Sequence, residues 1–217
     1  GASNVDVLNT GSISTQGFRA IGMTALSQGG NGGMGGIAIG GSITTLTSSS
    51  TITLGGSGGN GGAANNANVD NRGSVSTIGP FSSGLVAQSL GGDGGIGGAS
   101  VGLATGIISQ AVTLGGQGGN GAAGGVAQAS STGSVNTIGP ASLGVLAQSI
   151  GGNGGMAGLS IAGLSADKAL NSRYNFILGN SLTTDPITTV ITAGSGENGG
   201  KATASISGSV ATYGALS

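Results

Sequence analysis

The sequence predicts an all-β fold, an elongated and repetitive β-solenoid of the parallel β-helix kind. Three features predict it: a long segment that recurs every ~60 residues, short stretches alternating hydroxyl with aliphatic side chains, and Gly-Gly-X runs held in fixed phase.

Residues 73–95 read GSVSTIGPFSSGLVAQSLGGDGG and residues 133–155 read GSVNTIGPASLGVLAQSIGGNGG. The two align without a gap at an offset of 60, with 16 of 23 positions identical. A more diverged copy, GSISTQGFRAIGMTALSQGGNGG, occupies 11–33 at an offset of 62, and a fourth begins at Gly208 as GSVATYGALS. A second module lies between these copies. TITLGGSGGNGGAA at 51–64 recurs as AVTLGGQGGNGAA at 111–123, and more weakly as ITAGSGENGGKA at 191–202. The expected organisation is one repeat domain over 1–217, with units 11–72, 73–132 and 133–207 and a partial unit 208–217.

Strands are expected at Ser74-Val75-Ser76-Thr77-Ile78 and Thr51-Ile52-Thr53-Leu54, because a period of two places alternate side chains on one buried face. Coils of this kind would hold Val, Ile and Leu inside, Gly and Ala at corners, and Ser, Thr and Asn outside. Gly79-Pro80 and Gly139-Pro140 mark turns at one phase of the unit, since Pro fixes φ and cannot donate to a ladder. Strand, turn, strand and glycine run then make half a unit.

The runs GGNGGMGG at 29–36, GGSGGNGG at 55–62 and GGDGGIGG at 91–98, with copies at 115–121 and 151–158, share a three-residue period. That period suits an extended left-handed helix of the polyproline II type, able to pack closely through Cα–H···O contacts. Flexible linkers or wide turns between coils are the alternatives. A linker has no reason to keep phase, which favours Gly-Gly-X extended segments or tight corners.

One stretch departs from the pattern. Gly155 to Gly200 spans 45 residues where Gly33 to Gly62 spans 29, and the excess falls at about 164–186. This insertion carries Asp167, Lys168, Arg173 and Asp185, four of the chain's eleven charged residues. Ser165 is placed to cap a short helix over about 166–174. The insertion reads either as a decoration covering a sheet edge or as a loop meeting a partner through Arg173, Tyr174 and Phe176.

Composition narrows the function. Of 217 residues 52 are Gly, only 5% are charged and the net charge is −1. An apolar fraction of 36%, carried by small aliphatic residues, suffices for a thin, repetitive core, unlike the low-hydrophobicity, high-charge pattern of disordered chains. Five Lys and Arg cannot form the basic stripe that displaces phosphate counterions or binds anionic lipid. No run approaches the ~20 apolar residues of a membrane helix. Without Cys there is no disulfide framework. The start, Gly-Ala-Ser without Met, is expected of a mature product or an excised fragment.

Catalytic and metal chemistry find no constellation. No Lys follows a glycine run at the P-loop position, and G-x-G-x-x-G spacings carry no information at this glycine content. Calcium-binding nonapeptides need an Asp where this chain has Met34, Ile96 and Met156, and Asp93 is the sole acid in any of the full Gly-Gly-X runs. With no His a serine triad cannot be assembled, and with neither His, Cys nor clustered carboxylates no zinc site is expected. Among the six acids only Asp6 and Asp70 look equivalent, beside Val5 and Val69. No enzyme activity, cofactor or metal is therefore expected.

Written as G-S-[VI]-x-T-x-G followed by S-x-G-[VL]-x-A-Q-S-[LI]-G-G-x-G-G, the repeat resembles the passenger repeats of large glycine-rich autotransporter adhesins of Gram-negative bacteria. The matching residues are Gly84 to Gly95 and Gly144 to Gly155, with a weaker copy at Gly22 to Gly33, and the likeness covers the chain except about 160–190. The resemblance implies a secreted, surface-displayed β-solenoid with a structural or adhesive role.

The expected function is that of a non-catalytic extracellular protein, either a passenger stalk or a self-assembling fibre subunit. Both ends carry one motif, Gly11-Ser12-Ile13 and Gly208-Ser209-Val210, which suggests that the stack continues, either in a longer parent polypeptide or by head-to-tail stacking of copies into filaments. An adhesin binding glycans or a host surface through 164–186 is the alternative. A remote one is ice binding by a flat face of Thr44, Thr51, Thr53 and Thr113.

Overall fold

The structure, a computed structural model, describes residues 2–44, 48–105, 108–165, 188–190 and 193–214. Among the described residues every regular element is a strand, and every strand pairing is parallel. The first pass of the chain lays down β1 (Val5–Asn9), β2 (Ser12–Gln16), β3 (Ile21–Gln28), β4 (Ala38–Ile43) and β5 (Ser48–Leu54). A second pass repeats the order with β6 (Ala67–Asn71), β7 (Ser74–Ile78), β8 (Ser83–Leu90), β9 (Ser100–Thr105) and β10 (Ile108–Leu114). The third gives β11 (Ala127–Ser131), β12 (Ser134–Ile138), β13 (Leu143–Ile150), β14 (Ser160–Ser165) and β15 (Thr188–Val190). Finally β16 (Ala202–Ile206) and β17 (Ser209–Tyr213) open a fourth.

Equivalent strands of successive passes lie side by side, so the chain forms five sheets. Their orders are β1-β6-β11-β16, β2-β7-β12-β17, β3-β8-β13, β4-β9-β14 and β5-β10-β15. The registers are the sequence repeat made physical. Val75 pairs with Val135 at an offset of 60, and Ile13 pairs with Val75 at 62. Ser100↔Ser160 keeps 60, but Val112↔Thr188 has jumped to 188 − 112 = 76, so the added residues lie between β14 and β15. The expected helix over 166–174, and Arg173, Tyr174 and Phe176, lie outside the described residues. Half a unit is not strand-turn-strand throughout: three strands precede the first glycine run of a pass and two precede the second.

Those two groups of strands form two lobes of different interior. In the first lobe aliphatic side chains point inward. Met23, Val69, Val75, Leu85 and Val135 are buried among Ala25, Ala67, Ala87, Ala127 and Ala129. The turn from β7 to β8 passes through Gly79 (φ 141°) and a left-handed Phe81 (φ 57°), and Arg19 and Ala141 repeat that conformation in the neighbouring passes. The Gly-Pro turns of the sequence sit here.

The second lobe reverses the expected arrangement of Val, Ile and Leu inside and Ser and Thr outside. Ser49, Thr51, Thr53 and Thr113 are buried, whereas Ile39 and Ile43 are 78% and 83% exposed and Ile52 and Leu54 also face outward. The reason is lack of space. A Cβ at Gly40 or Gly102 would stand 2.6 Å from the methyl group of Thr53 or Thr113, so facing strands approach too closely for larger side chains. Two of these buried hydroxyls find partners, Thr51 Oγ1 donating to the Leu103 carbonyl at 3.0 Å and Ser49 Oγ to that of Ser42 at 3.0 Å, whereas Thr53 Oγ1 has none among the described residues. An unpaired buried hydroxyl would cost ~1–3 kcal/mol.

The body is shallow along its stacking direction. Sheets three to four strands deep span only ~10–14 Å between first and last strand at the usual ~4.8 Å spacing. Elongation over these residues alone is therefore not found; each further pass would add one strand spacing.

Truncation separates the two kinds of aliphatic position. Leu85→Ala, at a fully buried site, is expected to cost ~2–5 kcal/mol by loss of transfer energy and creation of a cavity. Leu103→Ala, at an exposed site, should stay within ~0.5 kcal/mol of the parent. Denaturant titration of the two variants checks this.

Candidate functional site

The feature that sets this chain apart is the glycine layer joining the two lobes. One run per pass crosses outward (29–36, 91–98, 151–158) and one returns (55–62, 115–122, 194–197). They stack as two columns with opposite chain direction. Each position of the Gly-Gly-X triplet has its own surroundings.

The first Gly of a triplet donates its N–H to the X carbonyl of the equivalent run one pass on. Examples are Gly32 to Asp93 at 2.8 Å and Gly58 to Gln117 at 2.8 Å. The second Gly donates across to the other column. Gly59 donates to the Gly33 carbonyl, Gly95 to Gly59, Gly119 to Gly95, Gly155 to Gly119 and Gly194 to Gly155, at 2.7–2.9 Å. Parallel rows run Gly30-Gly62-Gly92-Ala122-Gly152-Glu197 and Gly36-Gly56-Gly98-Gly116-Gly158. Three uninterrupted hydrogen-bond rows thus thread every pass along the stacking direction. In the second pass X alone is exposed: Asp93, Ile96, Gln117 and Asn120 face solvent while Gly92, Gly95, Gly116 and Gly119 are buried. A Cβ on Gly95 would overlap the carbonyl oxygen of Gly33, a main-chain atom that cannot move aside. The runs are therefore extended, hydrogen-bonded segments, neither corners nor linkers.

Side chains complete the stacking. Where X is Asn or Asp, its side chain accepts the X-position N–H of the next pass: Asn31 Oδ1 from Asp93 (3.0 Å), Asp93 Oδ1 from Asn153 (2.7 Å), Asn60 Oδ1 from Asn120 (2.9 Å). The Ser of the A-Q-S block clamps the start of each following pass. Ser89 Oγ donates to the Asn65 carbonyl (2.8 Å) and accepts from the Gly125 N–H (2.7 Å), and Ser27 and Ser149 act likewise. Gln88 Nε2 donates to Gln148 Oε1 at 2.9 Å. Within the first lobe Asn9, Asn71 and Ser131 form a buried row, Asn9 Nδ2 to Asn71 Oδ1 at 2.8 Å and Asn71 Nδ2 to Ser131 Oγ at 3.1 Å.

The positions singled out from sequence fall as follows. Asp6 and Asp70 are not equivalent: Asp6 pairs in register with Asn68, and Asp70 with Leu8. Each carboxylate serves a neighbour on the sheet. Asp6 accepts from Asn68 Nδ2 (2.6 Å), and Asp70 accepts from Ser130 Oγ (3.0 Å) and pairs with Arg72 Nε at 2.8 Å on the surface. Among the described residues no three His, Cys, Asp or Glu side chains gather to hold a metal. Thr51, Thr53 and Thr113 are buried, so they present no flat face to ice.

Gly11-Ser12-Ile13 and Gly208-Ser209-Val210 lie at opposite edges of one sheet, on β2 and β17.

A feature that pattern reading passed over is the outer face of the second lobe. Between positions 34 and 62, 94 and 122, and 154 and 165 there is no charged residue. Ile37, Ile39, Leu103, Leu159 and Ile161 are exposed there, beside a cleft of about 340 Å³ lined by Met34, Ile37, Ile96 and Leu159. The signal was the distribution of charge along the unit. No helix is long and apolar enough to cross a membrane among the described residues. Comparison with family models, curated proteins and solved structures finds no match.

Substitutions within the layer test its construction. Gly95→Ala should lower stability by ~1–3 kcal/mol or more, because the methyl group overlaps fixed backbone. Asp93→Asn keeps the acceptor for Asn153 and should be neutral, and calcium addition should leave the melting temperature of the parent unchanged. Thermal melts of the three samples decide; a calcium-dependent rise would restore a metal role for Asp93.

Proposed function

We propose that this chain is a non-catalytic structural segment of an extracellular bacterial protein. In this reading its passes are the coils of a β-solenoid of the kind borne by glycine-rich autotransporter passengers. One observation carries the proposal. Backbone groups of nearly every glycine triplet are engaged along the stacking direction, and the named side chains that reach across passes, Asn31, Asn60, Ser89, Asp93 and Gln88, serve the same stacking. Side chains among the described residues are spent on joining one pass to the next, and Asp6, Asp70 and Asp93 each serve a neighbouring strand or run. The motif G-[VL]-x-A-Q-S-[LI]-G-G-x-G-G has a physical reading in these terms: a buried Ala, a Gln ladder, a Ser clamp and a glycine layer. Low charge suits a surface layer that persists across changes of salt, since little of its cohesion is screened.

Antibodies raised against the purified chain provide the test, applied to cells that express it naturally. Intact cells should label at the surface, and the label should survive a high-salt wash. Labelling that appears only after permeabilisation would contradict the proposal.

A further inference from the structure

We infer that the Asn-Gly and Asp-Gly pairs of the glycine layer are latched self-modification sites. The following pass holds them unreactive, and they convert to isoaspartate where a pass comes away. The inference concerns the chemistry of the layer and does not depend on where the protein resides.

Gly follows Asn five times in this sequence, at Asn31, Asn60, Asn120, Asn153 and Asn198, and follows Asp once, at Asp93. Such pairs are the most reactive of their kind in a peptide chain, because no side chain shields the nitrogen of the Gly. That nitrogen attacks the side-chain Cγ, and the new C–N bond closes a five-membered succinimide. The side-chain amide of Asn leaves as ammonia, taking up the proton that the Gly nitrogen gives up; from protonated Asp, water leaves instead. Water then opens the ring at either carbonyl. Opening at the main-chain carbonyl gives isoaspartate, whose chain runs on through Cβ and Cγ.

Solvent is at hand, since Asn31, Asn60, Asp93 and Asn120 are all exposed. Burial therefore does not protect them. A paired contact does, repeated four times, in which one residue of the next pass holds both reacting groups. The Asn120 N–H donates to Asn60 Oδ1 at 2.9 Å, and the Asn120 carbonyl takes the Gly61 N–H at 2.8 Å. Asp93 holds Asn31 Oδ1 and the Gly32 N–H in the same way, at 3.0 and 2.8 Å. Asn153 holds Asp93 Oδ1 and the Gly94 N–H, at 2.7 and 2.8 Å. Ser195 holds Asn120 Oδ1 and the Gly121 N–H, at 3.0 and 2.8 Å. Equivalents one pass after Asn153 and Asn198 would fall beyond residue 217.

A hydrogen bond to Oδ1 alone would polarise Cγ and favour attack. Here the nucleophile is pinned as well. Nitrogen and Cγ each point at the next pass, and they cannot turn on one another until both bonds break and the run leaves its extended form. Restacking does not undo the conversion. Isoaspartate adds one carbon to the main chain, so the glycines after it lose phase with the run they stack on. At Asn31 the new carboxylate would also lie beside Asp93, two like charges in one row. A pass that stays open long enough to react is thereby kept from rejoining.

The test incubates the full chain at mildly alkaline pH, native and in guanidinium chloride, and reads isoaspartate at each site by peptide mapping with mass spectrometry. Native Asn31, Asn60 and Asn120 should convert at least about tenfold more slowly than in the unfolded chain, since two hydrogen bonds must open first. Equal rates would overturn the latch. Asn120→Pro removes the N–H that holds Asn60 Oδ1, and its fixed φ suits an extended run of the polyproline II type. It should speed conversion at Asn60 severalfold and leave Asn31 slow. Asn120→Ala keeps both main-chain groups and should leave Asn60 slow. Ser195→Pro frees Asn120 in the same manner, and takes the place of Asn120→Pro if that variant does not melt like the parent. A folded proline variant with no acceleration at the freed Asn, or a fast Asn60 in folded Asn120→Ala, would assign the protection to general rigidity and overturn the latch.

Discussion

Everything in this molecule follows from the approach of glycine backbones across the layer between its two lobes. From the second pass on, the second Gly of a triplet donates into the neighbouring column, with N···O distances of 2.7–3.0 Å, and a side chain at positions such as Gly92, Gly95, Gly116 and Gly119 would sit on a carbonyl of the preceding pass. The first Gly faces the other column in the same way. X varies widely, with Asn31, Met34, Ser57, Asp93, Ile96 and Gln117 all occupying it, whereas the other two positions depart from Gly at few places such as Ala122, Ala157 and Glu197. A period of three in the sequence is thus the shadow of three directions in space, two occupied by backbone and one by solvent. Glycine loses more conformational entropy on folding than any other residue. The layer offsets that loss by engaging nearly all of its N–H groups, each worth ~0.5–1.5 kcal/mol net.

The same constraint fixes what the lobes can be. Because each pass must rise by one strand spacing through the glycine layer, every strand sits directly over its equivalent, and parallel sheets result. Identical side chains then stack in rows. Asn, Gln and Ser rows hydrogen-bond to themselves, and charge rows would repel. That accounts for a chain with so little charge and for carboxylates at isolated positions such as Asp93, which lies between Asn31 and Asn153.

Much of the fold was legible. The repeat offsets of 60 and 62 reappear as strand registers, and Ser74–Ile78 is a strand as its alternation implied. What alternation could not tell is which of its two faces is buried. In β7 the buried set is Val75 and Thr77, whereas in β5 it is Thr51 and Thr53, with Ile52 outward. That choice is made by the separation of facing strands, a tertiary quantity set by Gly40 and Gly102. Matching motifs at 11–13 and 208–210 identify equivalent positions at opposite edges of one sheet.

Hydrogen exchange followed by mass spectrometry at low protein concentration is the most direct measurement of the glycine layer. Peptides covering 91–98 and 115–122 should exchange as slowly as those covering the buried strand β8, since their glycine amides lie in the axial rows and open only with the stack. Exchange of these glycine segments at the rate of exposed loops, with β8 still protected, would mean that the runs are linkers after all and that the two lobes stack without them.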